Sequence, residues 1–430
     1  MNTSEFVKEL NNQFFNGELS TQFQDKLQQL PIDRPDVFAF VQKMFALMNK
    51  SGMPAKDLSL LHADIMGTLL ARILPGAWEG RVPPITVHGR HSVIDQYIKK
   101  NHWNSSEGKS LLDIGCGFPP VTTIESANFL SDWKVTGADP SLPAYLIYDE
   151  EENYATLDEN KSTVYFQPAI PSIENWNKLL NNSSATKKRF ENLLEELLNH
   201  PNNEGFPRLE IHPIKKYETE KLSFIKGGIG QIDIETKDVI RCFNVLYYFD
   251  NNFLENALKW FAENTNEGGI VLIGGDWAAS TECYYNIYKK NDIQLINKEF
   301  AFSLDCICPL SIVTWYAVHD DDRQKAELVK YISIIRKDKY FMDEFYTFHD
   351  AQRLKYKICP RDKEGYYGVI DPSIKPQELW ALGSKLLTEL NDAGFNQKAA
   401  DVLRNAGFRT RVNEVGHIAV EPSSTFSSGI

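Results

Sequence analysis

Leu111-Leu112-Asp113-Ile114 runs into Gly115-Cys116-Gly117, and a second apolar stretch, Val135-Thr136-Gly137-Ala138, ends in Asp139. The pattern predicts a buried strand, a glycine turn and a second strand tipped with an acid. Glycines at 115 and 117 permit positive φ and let a ligand approach the backbone, since neither carries a Cβ. A carboxylate at the tip of the next strand can accept hydrogen bonds from both hydroxyls of a ribose. The combination describes a nucleoside-containing cofactor lying across the carboxyl ends of a parallel sheet.

The residues after the turn narrow the choice of cofactor. Dinucleotide folds use G-x-G-x-x-G, whose third glycine brings the helix close to the strand. Here Gly117 is followed by Phe118-Pro119-Pro120-Val121-Thr122-Thr123, and two prolines suit the residues just before or inside a first helical turn. They oppose a pyrophosphate loop, which makes a nicotinamide oxidoreductase the weakest reading. The stretch resembles the first motif of the class I S-adenosylmethionine-dependent methyltransferases, hydrophobic-hydrophobic-Asp-hydrophobic-Gly-x-Gly. The segment from Lys237 through Phe243-Asn244-Val245 to Phe249 is similar to that family's fourth strand and following loop, and Glu267 to Gly275 to its fifth strand.

The resemblance covers about 87 to 319. It implies a seven-stranded, mostly parallel Rossmann-like α/β sheet and S-adenosyl-L-methionine as cofactor. It further implies that Asp113, Gly115, Cys116 and Gly117 shape or contact the methionine end, that Asp139 holds the ribose, and that Phe243 and Asn244 border the reaction centre. His88, Arg90 and His91 begin a helix that runs to Asn101 ahead of the first strand, and Arg90 is placed to pair bidentately with the cofactor's carboxylate. The bland alternative for Arg90 is an ordinary exposed helix start.

Three segments are expected. Residues 1–85 are helical, with one stripe of Val37, Phe40, Val41, Met44 and Met48 and another of Leu58, Leu61, Ile65, Leu69 and Ile73, punctuated at Pro75-Gly76. His62 reads as a helix histidine packed in the core. Residues 86–320 form the cofactor domain, interrupted at about 145–205 by an insertion that holds Trp176 and a helix built on Phe190, Leu193, Leu194, Leu197 and Leu198. An insertion of that length reads as a cap or lid. Strand three is placed at Arg208 to Ile214, and the glycine-rich stretch 223–234 is a loop where the family builds its adenine contact. After the fifth strand, a tyrosine-rich helix around Tyr284, Tyr285 and Tyr288 precedes two closing strands, 300–307 and 312–318. Residues 321–430 are a helical extension that ends in a hairpin turning near Asn413 to Gly416, with Ser423 to Ile430 disordered.

Composition excludes several functions. The chain has 58 acidic and 46 basic residues and a formal charge of -12, so no general attraction to nucleic acid is expected. The acidic stretch from Asp149 to Glu152 and on to Glu159 reads as a solvated loop. No apolar run approaches the roughly 20 residues that cross a bilayer, and Met1 to Glu9 lacks a cationic segment leading into an apolar one. A cytoplasmic protein with no membrane partner is expected. Six scattered cysteines suit a reducing compartment. Cys306-x-Cys308 with His319 lacks a second ligand pair, so core packing is preferred to zinc and no metal is expected.

Methyl transfer needs donor and acceptor held in contact, and a proton acceptor where the methylated atom carries a proton. His102, Tyr247, Tyr248 and Asp276 fall near the carboxyl ends of the expected strands and are the candidate catalytic residues. Asn244 is not followed by Pro-Pro-Tyr, which disfavours exocyclic-amine methylation of nucleobases. Tyr247-Tyr248-Phe249-Asp250 bears some likeness to the loop of chemotaxis-receptor glutamate methyltransferases, but Phe243 stands where those have arginine. The aromatic extra segments favour an enclosed small-molecule acceptor. The reading is therefore a methyltransferase acting at O or N of a small metabolite or natural product. A protein carboxyl or side-chain methyltransferase and a non-catalytic cofactor-binding regulator are the alternatives.

Overall fold

The structure is a computed structural model that describes residues 3–14, 16–30, 35–68, 88–101, 109–170, 173–200, 205–277 and 281–422. Leu69, Ile73, Pro75-Gly76, His102 and Ser423 to Ile430 lie outside the described residues, as does the side chain of Trp176. The strands are β1 Ser110–Ile114, β2 Lys134–Asp139, β3 Tyr145–Tyr148, β4 Tyr154–Leu157, β5 Thr163–Gln167, β6 Arg208–Ile211, β7 Leu222–Lys226, β8 Lys237–Phe243, β9 Thr265–Asp276, β10 Cys283–Asn291, β11 Gln294–Phe302, β12 Thr410–Val412 and β13 Ile418–Val420.

A nine-stranded mixed sheet runs β12-β13-β11-β10-β9-β8-β1-β2-β7. Its half from β7 to β9 is parallel and the remainder antiparallel. Leu111, Leu112 and Ile114 of β1 are all buried, as a central parallel strand covered on both faces requires. Helix Ser92–Lys100 precedes β1, Val121–Phe129 links β1 to β2, and Asn251–Glu263 links β8 to β9. The chain moves outward from β1 to β2 and β7, then returns to the other side of β1 with β8 and β9. The strand order therefore reverses between β1 and β8, and loops leaving their carboxyl ends diverge to leave a crevice.

Several expectations are corrected. The sheet has nine strands rather than seven, because the hairpin β12–β13 at the end of the chain joins it, β13 pairing antiparallel with β11. The third parallel strand is β7, whereas Arg208–Ile211 belongs to a separate antiparallel sheet ordered β5-β4-β3-β6. That sheet, with helices Ile173–Leu180 and Ser183–Asn199, makes up the insertion. Phe190, Leu194 and Leu197 pack into its own core with Ile147, Ala155 and Phe166. The acidic stretch is partly ordered: Asp149 is buried, and its Oδ1 accepts from the backbone N–H of Glu151 and Asn153.

The tyrosine-rich segment is strand β10 and not a helix. Tyr284 and Tyr285 are both fully buried because adjacent strand residues point to opposite faces, and each face is covered by a different core. The closing hairpin is thus β10–β11. Of the two stretches expected to close the sheet, the first contributes only its start to β11, and the second contains a short 3-10 turn at Val313–Trp315. Both are buried apolar runs whose periodicity does not distinguish strand from packed loop. Cys306 and Cys308 accordingly sit on and just after the 3-10 turn Leu304–Ile307 rather than on a strand.

Helix Pro35–Lys50 buries Val37, Val41, Met44 and Met48. These share one apolar core with Leu328, Ile332 and Ile335 of helix Arg323–Lys337, with Phe341 and Phe345 of helix Lys339–Tyr356, and with Leu386, Leu390, Ala399 and Leu403 of the last two helices, Pro376–Asp392 and Phe395–Asn405. Among the described residues no helix is long and apolar enough to cross a membrane, and no cluster of three or more His, Cys, Asp or Glu is arranged to hold a metal.

Candidate active site

Where β1 ends, Gly115 and Gly117 adopt φ of +80° and +64°. The Gly115 N–H donates to Ala138 O at 2.8 Å, which ties the turn to β2. A Cβ on Gly115 would lie 2.4 Å from Val245 Cγ2, so the loop after β8 packs directly on the turn. At the tip of β2, Asp139 Oδ2 accepts from Gly117 N–H at 3.0 Å, and Oδ1 accepts from Ser141 N–H at 2.7 Å. Gly227 N–H donates to Asp139 O at 3.2 Å, bringing the glycine-rich loop after β7 against the same strand end. Cys116 is buried against Gly137, and burial pushes its thiol well above the ordinary value. Pro120 caps helix Val121–Phe129. The loop is also held from outside, since Tyr165 OH of the inserted sheet donates to Phe118 O at 2.6 Å.

Beneath the turn lies a buried ion cluster. Arg241 of β8 donates from Nε to Asp113 Oδ1 and from Nη2 to Asp113 Oδ2, both at 2.8 Å, and from Nη1 to Asp95 Oδ1 at 2.7 Å. Thr123 Oγ1–H adds a 2.6 Å bond to Asp113, and Ser126 Oγ–H contacts Asp95 at 2.9 Å. Burial opposes ionisation of Asp113, yet the Arg241 guanidinium holds its carboxyl below the usual range; for Asp95 burial prevails and the direction is upward. Asp113 therefore shapes the turn from below, both its oxygens being engaged inside the protein. Sequence reasoning passed over Arg241, although one charge within Val239-Ile240-Arg241-Cys242-Phe243 was the available signal.

A second cluster caps the carboxyl ends of β8 and β9. Asn244, at φ +59°, donates from Nδ2 to Asp276 Oδ1 at 2.6 Å and accepts from Asp276 N–H at 3.1 Å. Arg90 donates from Nε to Asp276 Oδ1 at 2.7 Å and from Nη2 to Asp276 O at 2.9 Å. His91 Nδ1 lies 2.8 Å from Asp276 Oδ2, and its ring meets Phe243 edge-on at 5.5 Å. Burial would raise the Asp276 carboxyl, but His91 and Arg90 together hold it well below the usual range. Asp276 is thus a clamped carboxylate, and Arg90, the residue expected near the cofactor's carboxylate, is one of the groups that hold it.

Tyr247 and Tyr248 occupy the 3-10 turn Leu246–Tyr248 just beyond Asn244. Their rings lie 4.4 Å apart, with Tyr316 at 5.5 and 6.1 Å. Burial pushes both phenols up, which suits them to hydrogen bonding rather than to accepting a proton as phenolates. Tyr284 adds its hydroxyl 2.6 Å from where a Cβ on Gly275 would sit. The structure therefore gathers Asp139 with the glycine turn, and Arg90, Asn244, Asp276 and the tyrosines beside it; His91 joins them although sequence reasoning noted it only as part of a basic cluster.

No family model matches the chain, and no curated protein matches it. Solved structures aligned with it include the N-methyltransferase NodS from Bradyrhizobium japonicum WM9, 13% identical over 43% of this chain and 65% of that one, TM-score 0.20. PKMT2 from Rickettsia typhi, in complex with AdoHcy, is 15% identical over 45% of this chain and 26% of its own, TM-score 0.23. A putative S-adenosyl-L-methionine-dependent methyltransferase from Methanococcus maripaludis is 14% identical over 77% and 84%, TM-score 0.23. The chain spans less than two thirds of the first two. Similarity at this level carries no activity from one chain to another.

Proposed function

We propose that the chain is an S-adenosylmethionine-dependent methyltransferase acting at O or N of a small metabolite or natural product in the cytoplasm. The observation that carries this reading is Asp139 at the tip of β2, bonded to Gly117 of the turn after β1, at the edge where the strand order reverses. The residues fit the cofactor's nucleoside half. Oδ2 of Asp139 accepts the bond from Gly117 N–H and retains acceptor capacity for a ribose hydroxyl, and the side chain is partly exposed.

When bound, the cofactor supplies a methyl group on a sulfonium. Gly115, Cys116 and Gly117 would hold its methionine end, Asp139 its ribose, and the 227–232 loop its adenine side. Phe243 and Asn244 would border the transferring carbon, and Tyr247, Tyr248, Tyr284 and Tyr316 would line the acceptor. Close positioning supplies several kcal/mol toward an in-line displacement, up to roughly 7–11 in well-aligned cases.

Calorimetric titration with S-adenosylmethionine and, separately, NADH tests the reading. Saturable S-adenosylmethionine binding that weakens in Asp139→Ala is expected. NADH binding without S-adenosylmethionine binding would overturn it. Transfer of labelled methyl to extract proteins rather than to small molecules would replace the small-molecule acceptor by a protein.

A further inference from the structure

We propose that His91, oriented by Asp276, takes the proton from the methyl acceptor, and that the acceptor is therefore an alcohol, a phenol or a neutral N–H compound rather than a carboxylate. This rests on the methyltransferase reading above.

The geometry is that of a base and its orienting acid. His91 is held at the start of helix Ser92–Lys100, its carbonyl accepting from Asp95 N–H at 2.9 Å. Its ring is fixed by Phe243 and by the 2.8 Å contact from Nδ1 to Asp276 Oδ2. Asp276 cannot turn away, because Arg90 and Asn244 hold its other oxygen and its backbone. The carboxylate oxygen 2.8 Å from Nδ1, a charge contact rather than an aligned hydrogen bond, favours a proton on Nδ1 and leaves Nε2 as the proton acceptor. Among the described residues Nε2 makes no hydrogen bond. Phe243 and Asn244 end β8, and Val245 touches Gly115, so the dyad stands beside the turn that would hold the methyl donor.

The neighbouring groups are otherwise committed. Asp276 has Oδ1 held by Arg90 and Asn244 and Oδ2 set against His91. The phenols of Tyr247 and Tyr248 are pushed up by burial. Lys325, which burial pushes down to about 7, donates from Nζ to Val313 O and rests 4.1 Å from the Tyr284 ring. An imidazole is the side chain whose charge ordinarily changes between pH 5 and 8.

In the step, the acceptor's oxygen or nitrogen lone pair forms a bond to the methyl carbon while the carbon–sulfur bond breaks, its electron pair remaining on sulfur. The positive charge of the sulfonium is lost, and the acceptor's proton passes to His91 Nε2 and then to solvent. A carboxylate acceptor has no proton to surrender and would make the dyad superfluous.

The charged and titratable groups facing His91 are Asp276 of β9, Arg90 beside it, Asp95 of its own helix, Asp113 of β1 and Arg241 of β8. Asp276→Asn removes one negative charge while keeping the Arg90 backbone contact.

The test uses the full chain, tritiated S-adenosylmethionine and a probe panel of catechol, phenol, tyramine and hexanoate, together with 15N-imidazole NMR. Expected are transfer to an O–H or N–H probe with a single acid limb in kcat, and a fall of about 10²–10⁴-fold in His91→Gln with the acid limb abolished and donor affinity within twofold. In NMR, Nε2 of His91 should be unprotonated at high pH, with the ring proton on Nδ1. An Nε2–H tautomer, an unchanged acid limb in His91→Gln, or transfer to hexanoate alone would overturn the proposal whether or not His91→Gln folds well enough for kinetics. Failure of the wild-type chain to bind S-adenosylmethionine would instead remove the methyltransferase reading.

Discussion

Arg241 and Asp113 meet edge to edge in the floor of the site, joined by two bonds of 2.8 Å and sealed from water. β1 and β8 pair in parallel with Asp113 opposite Arg241, so the ion pair spans the point where the strand order reverses. A guanidinium suits this place because its rigid fork matches a carboxylate and its third nitrogen reaches Asp95.

Arg241→Met should lower stability by about 3–5 kcal/mol, since it leaves two buried carboxylates without their cation. Guanidinium denaturation would measure it. The triple variant Arg241→Met, Asp113→Asn, Asp95→Asn should recover part of that loss; no recovery would show that packing rather than charge dominates.

Asp113 and Asp276 share a sign in their pH dependence. Their folded-state pKa values lie below the unfolded value near 3.8, so the stability they contribute is present above about pH 4 and falls as pH drops through the folded values. Asp276→Asn should flatten the acid side of a stability-against-pH curve, leaving the neutral region nearly level.

Lys325 works in the opposite window. Burial depresses its folded value to about 7 from 10.5, so between those pH values the unfolded chain binds more protons and stability rises with pH. Thermal unfolding from pH 7 to 10 should show this rise in the wild type and lose it in Lys325→Met.

Gly115→Ala should be costly for two reasons: φ is +80° and the new Cβ would meet Val245. A loss of about 1–3 kcal/mol is expected. The second substitution Val245→Ala should relieve the collision but not the backbone strain, giving partial rescue of Tm.

Tyr165→Phe removes the hydrogen bond from the inserted sheet to Phe118 O of the cofactor loop. The stability change should be about 1 kcal/mol, with S-adenosylmethionine affinity falling several-fold if the insertion steadies the loop. Unchanged affinity in calorimetry would make the bond purely structural.

Strands β1, β2, β8 and β9 were legible because each is a short, mainly apolar run flanked by glycine, an acid or an amide. The same rule misled at the tyrosines of β10: Tyr284 and Tyr285 face two different cores, so the alternation that marks a strand vanished. It misled again at Arg208–Ile211, where a strand exists but pairs in the inserted sheet; pairing partners lie far apart in sequence and leave no local trace.

By itself, the sequence determined the glycine turn, the acid at Asp139, the loop beyond Asn244 and the helical segments at either end, all of which depend on neighbours within a few residues. Tertiary structure alone decided that Asp113 faces Arg241, that Arg90 and His91 converge on Asp276, and that the last hairpin completes the main sheet. Those relationships join residues more than a hundred positions apart, and their outcome rests on which buried charge finds a partner of the right shape once the strands have packed.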